Sequence, residues 1–222
     1  MAEVDLREHL AVVVRGAVDT EQCARWARAV AEARARWTSD FGGEQYSLGR
    51  AFYTHLETAQ STDYFRDAAG SDALVQGVVP GLQDTLRAHV ATLTGARVVA
   101  RRGWCGPGVH VFPAGEKVAR VGGVVHYDVE GLGRHHIAAH KPALSLVVML
   151  QPPGALRLWD VTHPAEEDTS QYSEIIEYKT GDLVAFDSYR LHQIQAFPGE
   201  RDRISATVHA AEVSRGVWES WF

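Results

Sequence analysis

A chain of 222 residues, 45% hydrophobic and 23% charged, has the composition of a soluble globular protein and can bury a substantial core, in one large domain or two small ones. Its net charge of −6 argues against a nucleic-acid partner, which requires a basic stripe to neutralise phosphates. Two cysteines, Cys23 and Cys105, supply neither a secreted disulfide framework nor a Cys-x-x-Cys zinc site.

The acidic opening MAEVDLREHL lacks an apolar secretion segment, and no apolar run approaches the ~20 residues that span a bilayer. A cytoplasmic protein with no membrane partner is expected; oligomeric state is not legible. No repeat, low-complexity tract or linker divides the chain, so one domain over 1–222 is expected. Its character changes near residue 96.

Before that point helical signals dominate, after a short strand expected around 10–14. Asp19 or Thr20 can cap a helix running toward Trp37, with Glu21 in its first turn. Trp26, Val30, Ala33 and Trp37 recur at the spacing of one buried helical stripe. A second helical stretch surrounds AFYTHLETAQSTDYFRDA, and a third follows Pro80-Gly81 through LQDTLRAHVATLTG, where Gly95 is a natural stop. Residues 1–95 thus read as a mainly helical support layer.

From 96 to 212 the chain turns to short β-branched or aromatic runs between glycines and prolines: ARVVARRG, GVHVFP, VGGVVHYD, ALSLVVML, ALRLWD, SEIIEYKTGDLVAFD, LHQIQAF and RISATVHA. So many short strands indicate a sandwich or barrel, with the helices outside. The tail, 213–222, carries Trp218, Trp221 and Phe222. It is expected to pack on the helical layer.

A His-x-acid pair occurs twice, as His126-Tyr-Asp128 and His55-Leu-Glu57. On a strand, i and i+2 share a face; on a helix they diverge. The helical pair is therefore read as a decoy, and the pair behind the valine run as two metal ligands. His192, at the start of a later strand, is the candidate third. Two histidines and one carboxylate can take one face of an octahedral iron(II) and leave the opposite positions open. Arg203-Ile-Ser205 again has strand spacing, and a guanidinium with a hydroxyl suits a carboxylate.

Together, His126-x-Asp128, His192 and Arg203-x-Ser205 resemble the iron(II)/2-oxoglutarate-dependent dioxygenases, over roughly 96–212. VHVFPAGEKV is similar to the strand and turn before the metal motif in that family. The resemblance implies an α+β fold: a double-stranded β-helix, that is, a jelly-roll, cupin-like barrel, with an N-terminal helical layer. It implies Fe(II), 2-oxoglutarate and O2 as cofactors. His126, Asp128 and His192 would be the metal-binding catalytic residues, and Arg203 with Ser205 would hold the distal carboxylate of 2-oxoglutarate. Succinate and CO2 would be released as an unactivated C–H bond is oxidised.

Radical halogenases of this family have Gly or Ala where Asp128 stands, so hydroxylation is implied; desaturation and cyclisation stay open. LGRAFYTHLE, PGLQDTL, HYDVEGL and LRLWD look similar to the small bacterial branch of free amino-acid hydroxylases and halogenases. That likeness implies a small polar substrate, such as a free amino acid or a natural-product intermediate. Two rivals are a cupin-type metal enzyme needing no oxo acid and a non-catalytic small-molecule-binding jelly roll.

Further pocket candidates follow from alternation and position. Thr207 and His209 share the face of Arg203 and Ser205; His110 lies on a neighbouring strand; Trp159 lies in LRLWD, where a core or barrel-wall place is the more ordinary reading, with Arg157 on its face, more ordinarily in an exterior ion pair. His136 and His140 have helical zinc spacing but no evident third ligand, so a covering loop is expected there. Tyr46, Arg50, Tyr53 and His55 are candidates for a lid from the helical half.

Overall fold

The computed structural model describes residues 6, 8–57, 59 and 61–222. In chain order the elements are β1 (Val12–Val14), α1 (Thr20–Glu32), β2 (Thr38–Asp40), β3 (Gln45–Leu48), α2 (Phe52–Glu57), α3 (Ser61–Arg66), α4 (Ala68–Val78) and α5 (Leu82–Thr94). There follow β4 (Arg97–Ala100), β5 (Gly108–Phe112), α6 (Lys117–Val121), α7 (Arg134–Ala138), β6 (Ala143–Gln151) and β7 (Ala155–Thr162). The chain ends with β8 (Ser173–Glu177), β9 (Leu183–Asp187), β10 (Arg190–Ile194), β11 (Arg203–Ser214) and β12 (Val217–Trp221).

A large, mainly antiparallel sheet runs β1-β9-β6-β11-β5-β3-β2, with β12 joining β11 to β4; a small sheet runs β10-β7-β8. The long strands β6 and β11 organise both faces by parity. Leu144, Leu146 and Val148, with Ile204, Ala206 and Val208, bury against Trp26 and Val30 of α1, Val75 of α4 and Leu86 of α5. On the opposite face Met149, Val184 and Phe186 meet Leu156 and Leu158 of the small sheet. A one-residue slip of β11 would exchange its two faces and empty both layers.

Asp19 caps α1, its side chain accepting from the Gln22 N–H. The helix stops at Glu32 instead of reaching Trp37; after a short 3-10 turn, Trp37 folds back and its indole N–H donates to the Val30 carbonyl at 2.9 Å. α5 does stop at Gly95, whose φ of 63° closes the helix.

The first 95 residues are less exclusively helical than their pattern suggests. The strand expected near 10–14 is β1, paired with β9, but the β2–β3 hairpin is an addition that extends the large sheet through β5, with Ser47 opposite His110. The tail also differs from expectation: β12 pairs antiparallel with β11 and parallel with β4, putting Trp218 in the main core and Trp221 against Tyr189 and Leu132. The alternation of VWESW reads as strand once β11 offers it an edge. No helix of the described residues is long and apolar enough to cross a membrane.

Candidate metal centre and its cavity

The run VGGVVHYD, expected as a strand, makes only an isolated bridge. Gly122 ends α6 at φ 87°, and a Cβ there would sit 2.8 Å from the Ile194 carbonyl oxygen. Beyond it the backbone docks along β10 at separate points: Gly123 N–H to Ile194 O at 2.9 Å, and a reciprocal pair between His126 and His192 at 3.1 and 3.0 Å. The Asp128 N–H then reaches Ser188 O at 3.0 Å. This irregular ladder keeps the i, i+2 relation, so His126 and Asp128 turn toward the same side as His192.

Their side chains converge. His126 Nε2 lies 3.4 Å from Asp128 Oδ1, and His192 Nε2 lies 3.5 Å from Asp128 Oδ2. Adjacent ligands of an octahedral ion, each about 2.1 Å from it, are about 3 Å apart, so this spacing suits a shared cation. The three ligand atoms lie within 4.8 Å of one another, and among the described residues they are the group able to hold a metal.

The tautomers fit as well. The Nδ1 of His126 is 2.9 Å from Val124 O, and that of His192 is 3.0 Å from Arg190 O. A carbonyl accepts only, so each Nδ1 carries a proton and each Nε2 is the nitrogen left to face a cation beside Asp128. Burial works against charge on His126, but the hydrogen-bonded Asp128 carboxylate outweighs it and holds the imidazole up at about 9. For His192, burial prevails and pushes it down to about 4. Burial also tends to raise the Asp128 carboxyl; the imidazoles of His192, His209 and His126 hold it well below the usual carboxylate range. A charged carboxylate flanked by two imidazoles is a donor set made for a divalent cation.

The odd-numbered residues of β11 complete the wall: Arg203, Ser205, Thr207 and His209 line the same cavity, of about 440 Å³, as the three ligands. Arg203 is 1% exposed. Its Nη2 donates to the Tyr178 hydroxyl, the Phe112 ring lies 5.1 Å away, and Nε and Nη1 have no partner. Buried guanidinium donors without an acceptor are costly, and a carboxylate is the group that fits them. His209 Nδ1 sits 3.0 Å from Ser145 Oγ and 3.7 Å from Asp128 Oδ2.

His110 also lines this cavity, whereas Trp159 does not. β7 pairs His192 with Leu158 and Ile194 with Leu156, so Leu156 faces the cavity and Trp159, of opposite parity, faces away. Trp159 packs with Tyr127, Val161 and Leu191, and its indole N–H donates to Thr169 O at 3.1 Å. Arg157, on the same side, donates to Ser173 Oγ at 3.0 Å.

His136 faces Pro142 O at 3.2 Å, and His140 stacks on Tyr189 at 4.1 Å. The segment is therefore a short helix whose Ile137 packs with Leu132, Tyr189 and Trp221, rather than a zinc site. Of the lid candidates only Tyr53 lines the cavity. Tyr46 packs on Trp37, Arg50 pairs with Asp67 and His55 is buried beside Tyr64; the side chain of Glu57 lies outside the described residues.

Tyr178, Phe41 and Gln45 escaped the sequence reading. Nothing in IIEYKTGD marks Tyr178 as a partner of Arg203, and Phe41 and Gln45 come from a hairpin hidden in an otherwise helical half. Behind them Asp40 is buried, and its oxygens make no hydrogen bond of good geometry, although Ser47, Thr54 and Gln45 surround it. Burial pushes its carboxyl up to about 7, against the pull of those neighbours. The folded chain then holds a proton that the unfolded chain releases, so stability falls as pH rises from about 4 to about 7. Asp40→Asn is expected to remove that fall and to exceed the native chain by on the order of 2–4 kcal/mol above neutrality. Urea denaturation at about pH 5 and about pH 8 checks it; equal differences at both would contradict it.

Comparison with family models finds no match, nor does comparison with curated proteins. Solved structures do match. The non-heme alpha ketoglutarate dependent epimerase SnoN from nogalamycin biosynthesis is 18% identical at TM-score 0.55, covering 93% of this chain and 81% of its own. AviO1 from Streptomyces viridochromogenes is 13% identical at TM-score 0.59, covering 96% and 98%. An N-substituted L-amino acid dioxygenase from Burkholderia ambifaria is 14% identical at 0.57, covering 97% and 87%. This chain shares their fold. At such identities the likeness speaks for architecture, and the chemistry rests on the site itself.

Proposed function

We propose that the chain is a non-heme iron(II)- and 2-oxoglutarate-dependent dioxygenase of double-stranded β-helix architecture, hydroxylating an unactivated C–H bond of a small molecule with release of succinate and CO2. One observation carries the reading: three ligands set for a divalent ion share a cavity with a buried arginine whose donors are unmet. A cupin-type metal enzyme that needs no oxo acid has no use for the second feature.

His126, Asp128 and His192 would hold the iron, and Arg203 with Ser205 would receive the distal carboxylate of the oxo acid. Iron bound with 2-oxoglutarate and oxygen supplies the oxidising power; the chain supplies position and exclusion of water. The Asp128 carboxylate favours hydroxylation over halogenation. Desaturation or cyclisation would use the same residues. A small-molecule substrate, a free amino acid or a natural-product intermediate, is in keeping with structural neighbours that include SnoN in complex with Fe3+, alpha ketoglutarate and nogalamycin RO and an amino acid dioxygenase.

Adding Fe(II) and 2-oxoglutarate to the protein without oxygen should give the weak visible charge-transfer band of a chelated oxo acid. Admission of air should bleach it and yield succinate. Metal uptake without a band would leave the cupin reading in its place.

A further inference from the structure

Resting on that reading, we infer that the substrate is an uncharged, ring-bearing molecule with hydroxyl or carbonyl groups, whose ring face docks on Phe41 and Tyr53; a free amino acid is not the substrate.

The cavity's charges come first. Arg203 and Asp128 are committed to the oxo acid and the metal. Of the other charged residues in the lining, Lys117 is held by both oxygens of Glu44, at 3.0 and 3.1 Å, and Glu44 and Glu130 are acidic. No unpaired cation among the described lining residues remains for a substrate carboxylate. A desolvated carboxylate needs a cationic or multiply donating partner. His110 does not provide it: its ring sits among Tyr53, Phe112 and Phe222 at 4.7 to 5.9 Å. Burial there pushes it down to about 3. Its Nδ1 is buried without a partner, an unmet polar atom that a neutral hydroxyl or carbonyl would satisfy.

The apolar walls point the same way. Phe41 is 42% exposed, yet it is held at φ 48°, a region that non-glycine residues seldom occupy. Its ring stacks on Tyr53 with centroids 6.0 Å apart and planes 18° from parallel. Both rings line the cavity, and so does Val124, 78% exposed. An exposed Phe41 ring backed by the half-buried Tyr53, in the cavity that holds the metal ligands, offers a flat face to a flat ligand. Aliphatic amino acids gain little from it, and an aromatic one would still lack a partner for its carboxylate.

The test compares naringenin, a neutral hydroxylated ring compound, with L-leucine, L-proline and L-phenylalanine, on the full protein with Fe(II) and 2-oxoglutarate under anaerobic conditions. Binding is followed by tryptophan fluorescence and by perturbation of the visible band. Naringenin should bind at least roughly tenfold tighter than each amino acid, and Phe41→Ala and Phe41→Leu should each weaken it roughly tenfold. The oxo-acid band should keep its intensity in both variants, showing that they are folded. An amino acid binding as tightly as naringenin, failure of naringenin to bind, or an unchanged affinity in both variants would overturn the inference. Fluorescence reads binding whether or not the band forms, so an absent band would count against the cofactor reading alone.

Discussion

Arg203→Met is expected to make the ligand-free protein more stable and to abolish its response to 2-oxoglutarate. The guanidinium is 1% exposed, bonded only to the Tyr178 hydroxyl, with two nitrogens unmet. Such a group costs folding free energy that a methionine of similar reach would not. The ligand-free gain should be about 1–3 kcal/mol. The native chain, by contrast, should recover stability when the oxo acid arrives. At about a hundredfold excess over Kd, binding to the folded state alone adds about 2.7 kcal/mol. Chemical denaturation with Mn(II), with and without 2-oxoglutarate, measures both quantities. A variant that is less stable and still responds to the oxo acid would contradict this role for Arg203.

Asp128→Ala should have the largest effect on metal binding. The carboxylate stands between two imidazoles, 3.4 and 3.5 Å from their Nε2 atoms, and supplies the negative charge of the ligand set. Loss of an outer-shell partner alone costs 10–100-fold in metal affinity, so loss of the charged ligand should exceed about a hundredfold. The anaerobic visible band should vanish with it. His126 should titrate lower in the variant, because the hydrogen bond that holds it up at about 9 is gone. The backbone of Asp128 remains tied to Ser188, so the fold should survive. Iron binding within tenfold of the native value would show that the three side chains do not act together.

Much of the site was legible because two-residue spacing carries the same meaning on a regular strand and on the bridged stretch that replaces it. Arg203, Ser205, Thr207 and His209 reach the cavity for that reason, since one parity of β11 is core and the other is wall. Sequence alone does not decide between core and pocket for Trp159, because its parity cannot be set without knowing that Leu158 sits opposite His192. The β2–β3 hairpin and β12 were missed because both are short and lie at the margins of stronger signals; their strand character comes from pairing with β5 and β11. Helix α1 stops at Glu32, two residues after Val30, and gives way to a turn that Trp37 then closes from outside. Non-local pairing decided each of these, and periodicity along the chain does not report it.

A crystal structure of the protein with Mn(II) and 2-oxoglutarate tests the central claim most directly. The expected result is one ion about 2 Å from the Nε2 atoms of His126 and His192 and from an Asp128 oxygen, with the oxo acid chelating it and its far carboxylate on Arg203. An ion bound elsewhere, or an oxo acid whose far carboxylate leaves Arg203 unmet, would contradict it.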